Sequence, residues 1–193
     1  MYDVFQKYMD CKIELTPEQS DWIRSLSAVK KLRKHQYLLQ AGDICTHHAF
    51  VTKGCLKSYS VDCNGKEHVV KFAAEHWWIA DRDSLVSGEP AKLNIDAVED
   101  CEAVLLSGQN FDLICEKIPA FNDMVSDLLQ NAYNASQNRV LANISLSAAE
   151  KYEYFLQRYP DLAVRIPLSM IASYLGMSPE TLSRVRNQAV SKG

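Results

Sequence analysis

The stretch IPLSMIASYLGMSPETLSRVRNQ, Ile166 to Gln188, leaves this chain little local freedom. Gly176 supplies the left-handed residue that stops a first helix over about Leu168–Leu175. Ser178 is a good N-cap and Pro179 a good first residue for a second helix. Ile171, Leu175, Leu182 and Val185 fall on the inward sides, and Ala172 is small where the helices must cross. Glu180, Ser183 and Arg184, spaced i, i+3, i+4, then share the opposite face. On the start of a helix, those side chains suit the edges of bases in the DNA major groove. Arginine donates two hydrogen bonds to guanine, and glutamate accepts one from cytosine. Ser178, Thr181, Arg186, Asn187 and Lys192 surround them as candidates for phosphate contact. The competing reading is an ordinary two-helix corner whose Glu and Arg form a surface pair.

Upstream the periodicity changes. From about Lys30 to Leu106, short apolar or alternating runs suggest strands at 37–40, 48–54, 56–62, 68–74, 94–99 and 102–107. Glycine-containing breaks separate them, and Asn64-Gly65 predicts a hairpin with a type I′ turn. Many short strands at regular spacing indicate a roll, sandwich or barrel. Before them, Thr16-Pro17 opens a helical lead-in.

After Pro119, apolar or small residues recur at Phe121, Val125, Leu128, Ala132 and Ala135 in steps of four and three. This stripe suits a helix packed on its own β domain, or a dimer helix on which the alanines allow close approach. A further helix over Ala148–Arg158 ends at Tyr159-Pro160, and Val164–Pro167 is expected to be extended.

Composition narrows the function. The chain has 193 residues, 47% hydrophobic and 23% charged, as in ordinary soluble domains. Neither a membrane-length apolar run nor a secretory leader is evident, so a cytoplasmic location without membrane association is expected. The six cysteines form no C-x-x-C pair, which argues against a zinc or iron–sulfur centre. The net charge is −3, but residues 144–193 carry six Lys/Arg against four Asp/Glu, so a +2 segment follows a −5 remainder. That asymmetry is compatible with local contact to DNA.

Three segments together resemble the Crp/Fnr family of bacterial transcription regulators. Leu38–Lys57 and Lys57–Trp78 are similar to its cyclic-nucleotide-binding β-roll, and Ile171–Asn187 to its recognition motif. The resemblance covers nearly the whole length. It implies an α+β chain with an N-terminal β-roll (a double-stranded β-helix, jelly-roll-like), a long dimerisation helix and a C-terminal winged-helix-type helix-turn-helix. The expected division is 1–110 for the sensor, 111–145 for the dimer helix and 146–193 for the DNA reader.

The resemblance also implies a homodimer on a palindromic operator, with Glu180, Ser183 and Arg184 reading a TGA-like half-site and RNA polymerase as a candidate partner. A hinge near Asn143–Ser145 would let a ligand shift the spacing of the recognition helices. Cyclic-AMP binders of the family carry a Gly-Glu pair and later an Arg followed by Ser or Thr. Here those places hold Ala80-Asp81 and Ala91-Lys92, and Ser136 completes the candidate pocket. Without the bidentate arginine, ordinary cyclic-AMP binding is not expected, and no cofactor is assigned.

Two other classes compete with this reading. A cupin-like metalloenzyme needs converging histidines, whereas His47 and His48 are adjacent and point to opposite faces of a strand. No enzymatic activity, catalytic residue or metal ligand is expected. The remaining alternative is a cyclic-nucleotide-like ligand-binding module that acts through protein partners without using its helix-turn-helix on DNA.

Overall fold

The computed structural model describes residues 1–190. The chain divides into two compact units: Met1–Ser60 with Lys71–Leu129, and Val61–Val70 with the residues from Gln130 onward.

The first unit begins with α1 (Tyr2–Asp10) and α2 (Pro17–Ser25). The expected cap of α2 is a full capping box: the Thr16 hydroxyl accepts from the Gln19 N–H, and the Gln19 side chain accepts from the Thr16 N–H. Then come β1 (Ser27–Leu32), β2 (Tyr37–Leu39), β3 (His47–Lys53), β4 (Leu56–Val61), β5 (Glu67–Ala73), β6 (Trp78–Ile79), α3 (Arg82–Ser87), β7 (Asn94–Ala97) and β8 (Cys101–Ser107). The strands form two four-stranded sheets, ordered β1-β8-β3-β6 and β2-β7-β4-β5. This is the expected roll. Sequence periodicity missed α1, β1, α3 and the two-residue β6.

Both faces of the first sheet are covered, so β3 reads as a continuous apolar run. Ala49 and Val51 turn to a core shared with Leu56, Ile95 and Ala97 of the second sheet. Phe50 turns the other way, to a second core with Phe5, Ile23, Phe111 and Phe121 from the helices. Alternate residues of one strand thus serve two cores.

The β4–β5 hairpin forms, but its turn differs from expectation. A type I′ turn needs positive φ at both central residues. Only Gly65 has it (φ 79°); Asn64 is not among the positive-φ residues. The Gly65 N–H instead reaches the Asp62 carbonyl, and the Asp62 N–H reaches the Lys66 carbonyl. This is the three-residue loop with a left-handed glycine. The Asp62 carboxylate selects it by accepting from the Asn64 and Lys66 N–H groups and pairing with His68. These partners, His68 first, pull its pKa down to about 2.

After α4 (Gly108–Lys117), the chain breaks at Ile118 and continues as α5 (Pro119–Ser145). The expected single dimer stripe on α5 has two fates. Phe121 is fully buried in the helix-side core, with Val125 and Leu128 packed against it, whereas Ala132 and Ala135 are exposed. The exposed large apolar residues further along α5 are instead Leu129, Tyr133, Val140, Leu141 and Ile144.

The second unit contains the hairpin tip, the later part of α5, then α6 (Ala148–Arg158), α7 (Pro160–Arg165), α8 (Leu168–Tyr174) and α9 (Pro179–Val190). Pro160 ends α6 as expected but also starts α7, so the segment read as extended is helical up to Arg165. Proline is a good first residue because its missing N–H would find no helical partner there. α9 runs to the last described residue, so a wing after it lies outside the described residues.

Candidate nucleic-acid interface

The turn between α8 and α9 closes as its residues dictate. Gly176 takes φ 67°. Its N–H reaches the Ser173 carbonyl, and the Met177 N–H reaches the Ala172 carbonyl. This pair of bonds satisfies the last carbonyls of α8 and reverses the chain. The Ser178 hydroxyl then accepts from the Thr181 N–H at 3.2 Å, capping α9. Ile171, Ala172, Leu175 and Leu182 are buried and Val185 is half-buried, which sets the inward side of the corner.

Glu180, Ser183, Arg184, Arg186 and Asn187 are exposed and Thr181 is half-buried. The Arg184 guanidinium approaches the Thr181 hydroxyl at 3.5 Å. The Ser178 hydroxyl and Glu180's own N–H hold the Glu180 carboxyl below its ordinary pKa, with smaller help from Arg184 and Lys66. Glu180 therefore stays an anionic acceptor beside a cationic donor, the pair needed to read a G·C pair. Lys192 lies outside the described residues.

The candidate ligand residues of the roll do not assemble a phosphate cradle. Asp81 is buried and accepts from the Ser84 N–H as the N-cap of α3, so the expected ribose acceptor is committed to a helix start. Ala91 is buried and its backbone pairs with Gly42 and Asp43. Ala80 packs at the edge of the core. Lys92 was expected to stand in for the phosphate arginine. Its side chain is instead 83% exposed and paired with Asp83 at 3.0 Å, out in solvent. Ser136 is exposed on α5, in the other compact unit.

The histidines have local roles: His47 meets the Thr46 hydroxyl, and His48 stacks on Phe111 with ring centroids 3.9 Å apart. None of the six cysteines is in a disulfide. Among the described residues, no group of three or more His, Cys, Asp or Glu converges as a metal site.

The chain thus joins a β-roll to a capped helix-turn-helix. Residues 29–117 match the cyclic nucleotide-binding domain family. The chain is 28% identical over 181 residues to the regulatory protein HlyX of Actinobacillus pleuropneumoniae, covering 85% of this chain and 72% of that one. It is 25% identical over 173 residues to an anaerobic regulatory protein of Aggregatibacter actinomycetemcomitans, covering 81% of this chain and 64% of the relative. Its fold is similar to that of FixK2 from Bradyrhizobium japonicum, with a TM-score of 0.76 at 18% identity and 86% of each chain covered. These similarities support a regulator of the Crp/Fnr type. These relatives are regulators rather than enzymes.

Proposed function

We propose that the chain is a sequence-specific DNA-binding transcription regulator that acts as a homodimer on a palindromic site. The observation that carries this reading is the exposed Glu180–Ser183–Arg184 face of α9, supported by a capped turn and a buried Leu182. Glu180 and Arg184 read a G·C pair and Ser183 an adjacent base, while Ser178, Thr181, Arg186, Asn187 and Lys192 hold the phosphates. The functional division is a sensor over 1–110, a dimer helix over 111–145 and a reader over 146–193. The exposed face Leu129, Tyr133, Val140 and Ile144 of α5 is the dimer seam, with steps of four, seven and four. RNA polymerase is a candidate partner, and the cytoplasm is the expected location.

Asp81 as a helix cap and Lys92 paired in solvent support a roll that does not take cyclic AMP by the arginine route. The test is selection of sites from random duplex DNA with the full-length protein, repeated with Arg184→Ala. A two-fold palindrome that Arg184→Ala no longer enriches is expected. Failure to enrich a site, with or without cyclic nucleotides and cell extract, would instead favour a ligand module acting through protein partners.

A further inference from the structure

A cleft of about 490 Å³ lies within the second compact unit, walled by α5, α6 and α8. That volume is in the range of sites for small organic ligands, about 300–1,000 Å³. From α5 come the carboxamides of Asn131, Asn134 and Asn138, with Ala135 and Ala142 as the floor between them. From α6 come Lys151, Tyr154 and Arg158. Tyr174 of α8 closes one side, and the Arg139 guanidinium lies over its ring at 4.9 Å. Arg139 is held there by donating to the Val70 carbonyl. No carboxylate lines the cleft among the described residues.

The composition of this wall is not explained by helix formation or by dimerisation. Asparagine is among the poorer helix formers, yet three of the five on α5, Asn131, Asn134 and Asn138, share one face. At about 100° per residue, the Asn131–Asn134–Asn138 face lies roughly opposite the exposed Leu129, Tyr133, Val140 and Ile144, with the exposed Leu141 standing beside Asn134. A second copy seated on the apolar face leaves the amide face open.

We propose that this cleft binds a nucleotide, a nucleobase carrying at least one phosphate. Cations without a lining carboxylate favour an anion, and arginine matches a phosphate with two parallel hydrogen bonds. Tyrosine rings offer faces on which a planar base stacks. Asn131 and Asn138 each carry an amide donor and acceptor side by side, the complement of a base edge, and Asn134, whose Oδ1 accepts from the Gln130 amide at 3.1 Å, adds its own N–H donors. Inorganic phosphate uses only the first of these features, and an uncharged nucleoside only the other two. Tyr174 sits on the helix that leads into the turn before α9. Occupancy of the cleft therefore bears on the reader helix, a consequence that rests on the DNA-binding reading.

The test is calorimetric titration of the full chain at physiological salt, without DNA, using ATP, GTP, adenosine, guanosine and tripolyphosphate as probes. At least one nucleotide is expected to bind at least tenfold more tightly than its nucleoside and than tripolyphosphate. Arg158→Ala, at an exposed position, and Asn134→Ala should each weaken that nucleotide at least tenfold. Arg184→Ala, on the reader face, should bind it as the parent does, so a failure of the DNA reading leaves this result unaffected. Three results overturn the proposal: no nucleotide binding at millimolar concentration, tripolyphosphate binding as well as nucleotides, or affinity unchanged in both cleft variants. Thermal melting of each variant checks that weaker binding does not come from unfolding.

Discussion

The Ser173 hydroxyl on α8 accepts the Val69 N–H at 2.9 Å and donates to the Glu67 carbonyl at 2.9 Å. One side chain thus completes the hydrogen bonding of the β5 edge in the hairpin tip. Ser173→Ala leaves the Val69 N–H, on a buried residue, without this partner. The expected loss is about 1–2 kcal/mol of local stability. Amide exchange at Val69 should accelerate in the variant while exchange at Val104, deep in the roll, stays the same.

Gly54 and Gly65 separate two reasons for a glycine. Both have positive φ, 87° and 79°. A Cβ on Gly54 would stand 2.6 Å from the Asp100 carbonyl oxygen and 2.7 Å from the Cys101 sulfur, whereas one on Gly65 meets nothing within 4 Å. Gly65→Ala should cost about 1–2 kcal/mol, the strain of a left-handed residue. Gly54→Ala adds a clash with backbone and should cost more than about 3 kcal/mol. Urea denaturation of the two variants gives the comparison, and equal midpoints would contradict the packing around Gly54.

Lys57 and Asp96 form a buried ion pair at 3.8 Å, with the Lys57 ammonium 3.9 Å from the centre of the Tyr59 ring and the Tyr59 hydroxyl on Asp96 at 3.2 Å. Removing one charge of a buried pair strands the other. Lys57→Met or Asp96→Leu alone should destabilise by about 3–5 kcal/mol, and the double variant should recover much of that loss. Denaturant midpoints for the three variants make the cycle, and additive losses would show that the charges do not depend on each other.

His48 gives the first unit a pH dependence. Burial, with Arg82 and His47 adding to it and Asp112 opposing, pushes its pKa from the ordinary 6.5 down to about 4. Between those values the unfolded chain binds a proton that the folded chain excludes. Stability therefore falls as pH drops from about 6.5 to 4 and is insensitive to this group above that window. Melting temperatures across the range should show a shallower decline in His48→Gln than in the parent.

Arg184 and Arg186 should fail in different ways. Arg184→Ala is expected to lose about 1–3 kcal/mol of discrimination at one base pair of each half-site. Arg186→Ala should weaken all duplexes evenly and reduce the slope of log affinity against log salt by about one for each phosphate it no longer neutralises. Titrations at several salt concentrations against a selected site and a scrambled one distinguish the two.

Local chemistry made much of this chain legible from its residues alone. Gly176, Ser178 and Pro179 act through backbone conformation and neighbouring N–H groups, so the turn and its cap follow wherever the corner is placed. The same holds for the Thr16 cap and most strands of the roll, whose periodicity records which side is buried. The turn type of the hairpin was decided by Asp62, whose carboxylate gathers two backbone N–H groups and His68 once the strands are paired. A three-four repeat marks a buried side of α5 but not what buries it. Tertiary packing assigned Phe121, Val125 and Leu128 to the chain's own core and left Leu129, Tyr133, Val140 and Ile144 outside. It also brought α6 and α8 against the asparagine face of α5, a juxtaposition of distant residues that no spacing along the chain encodes.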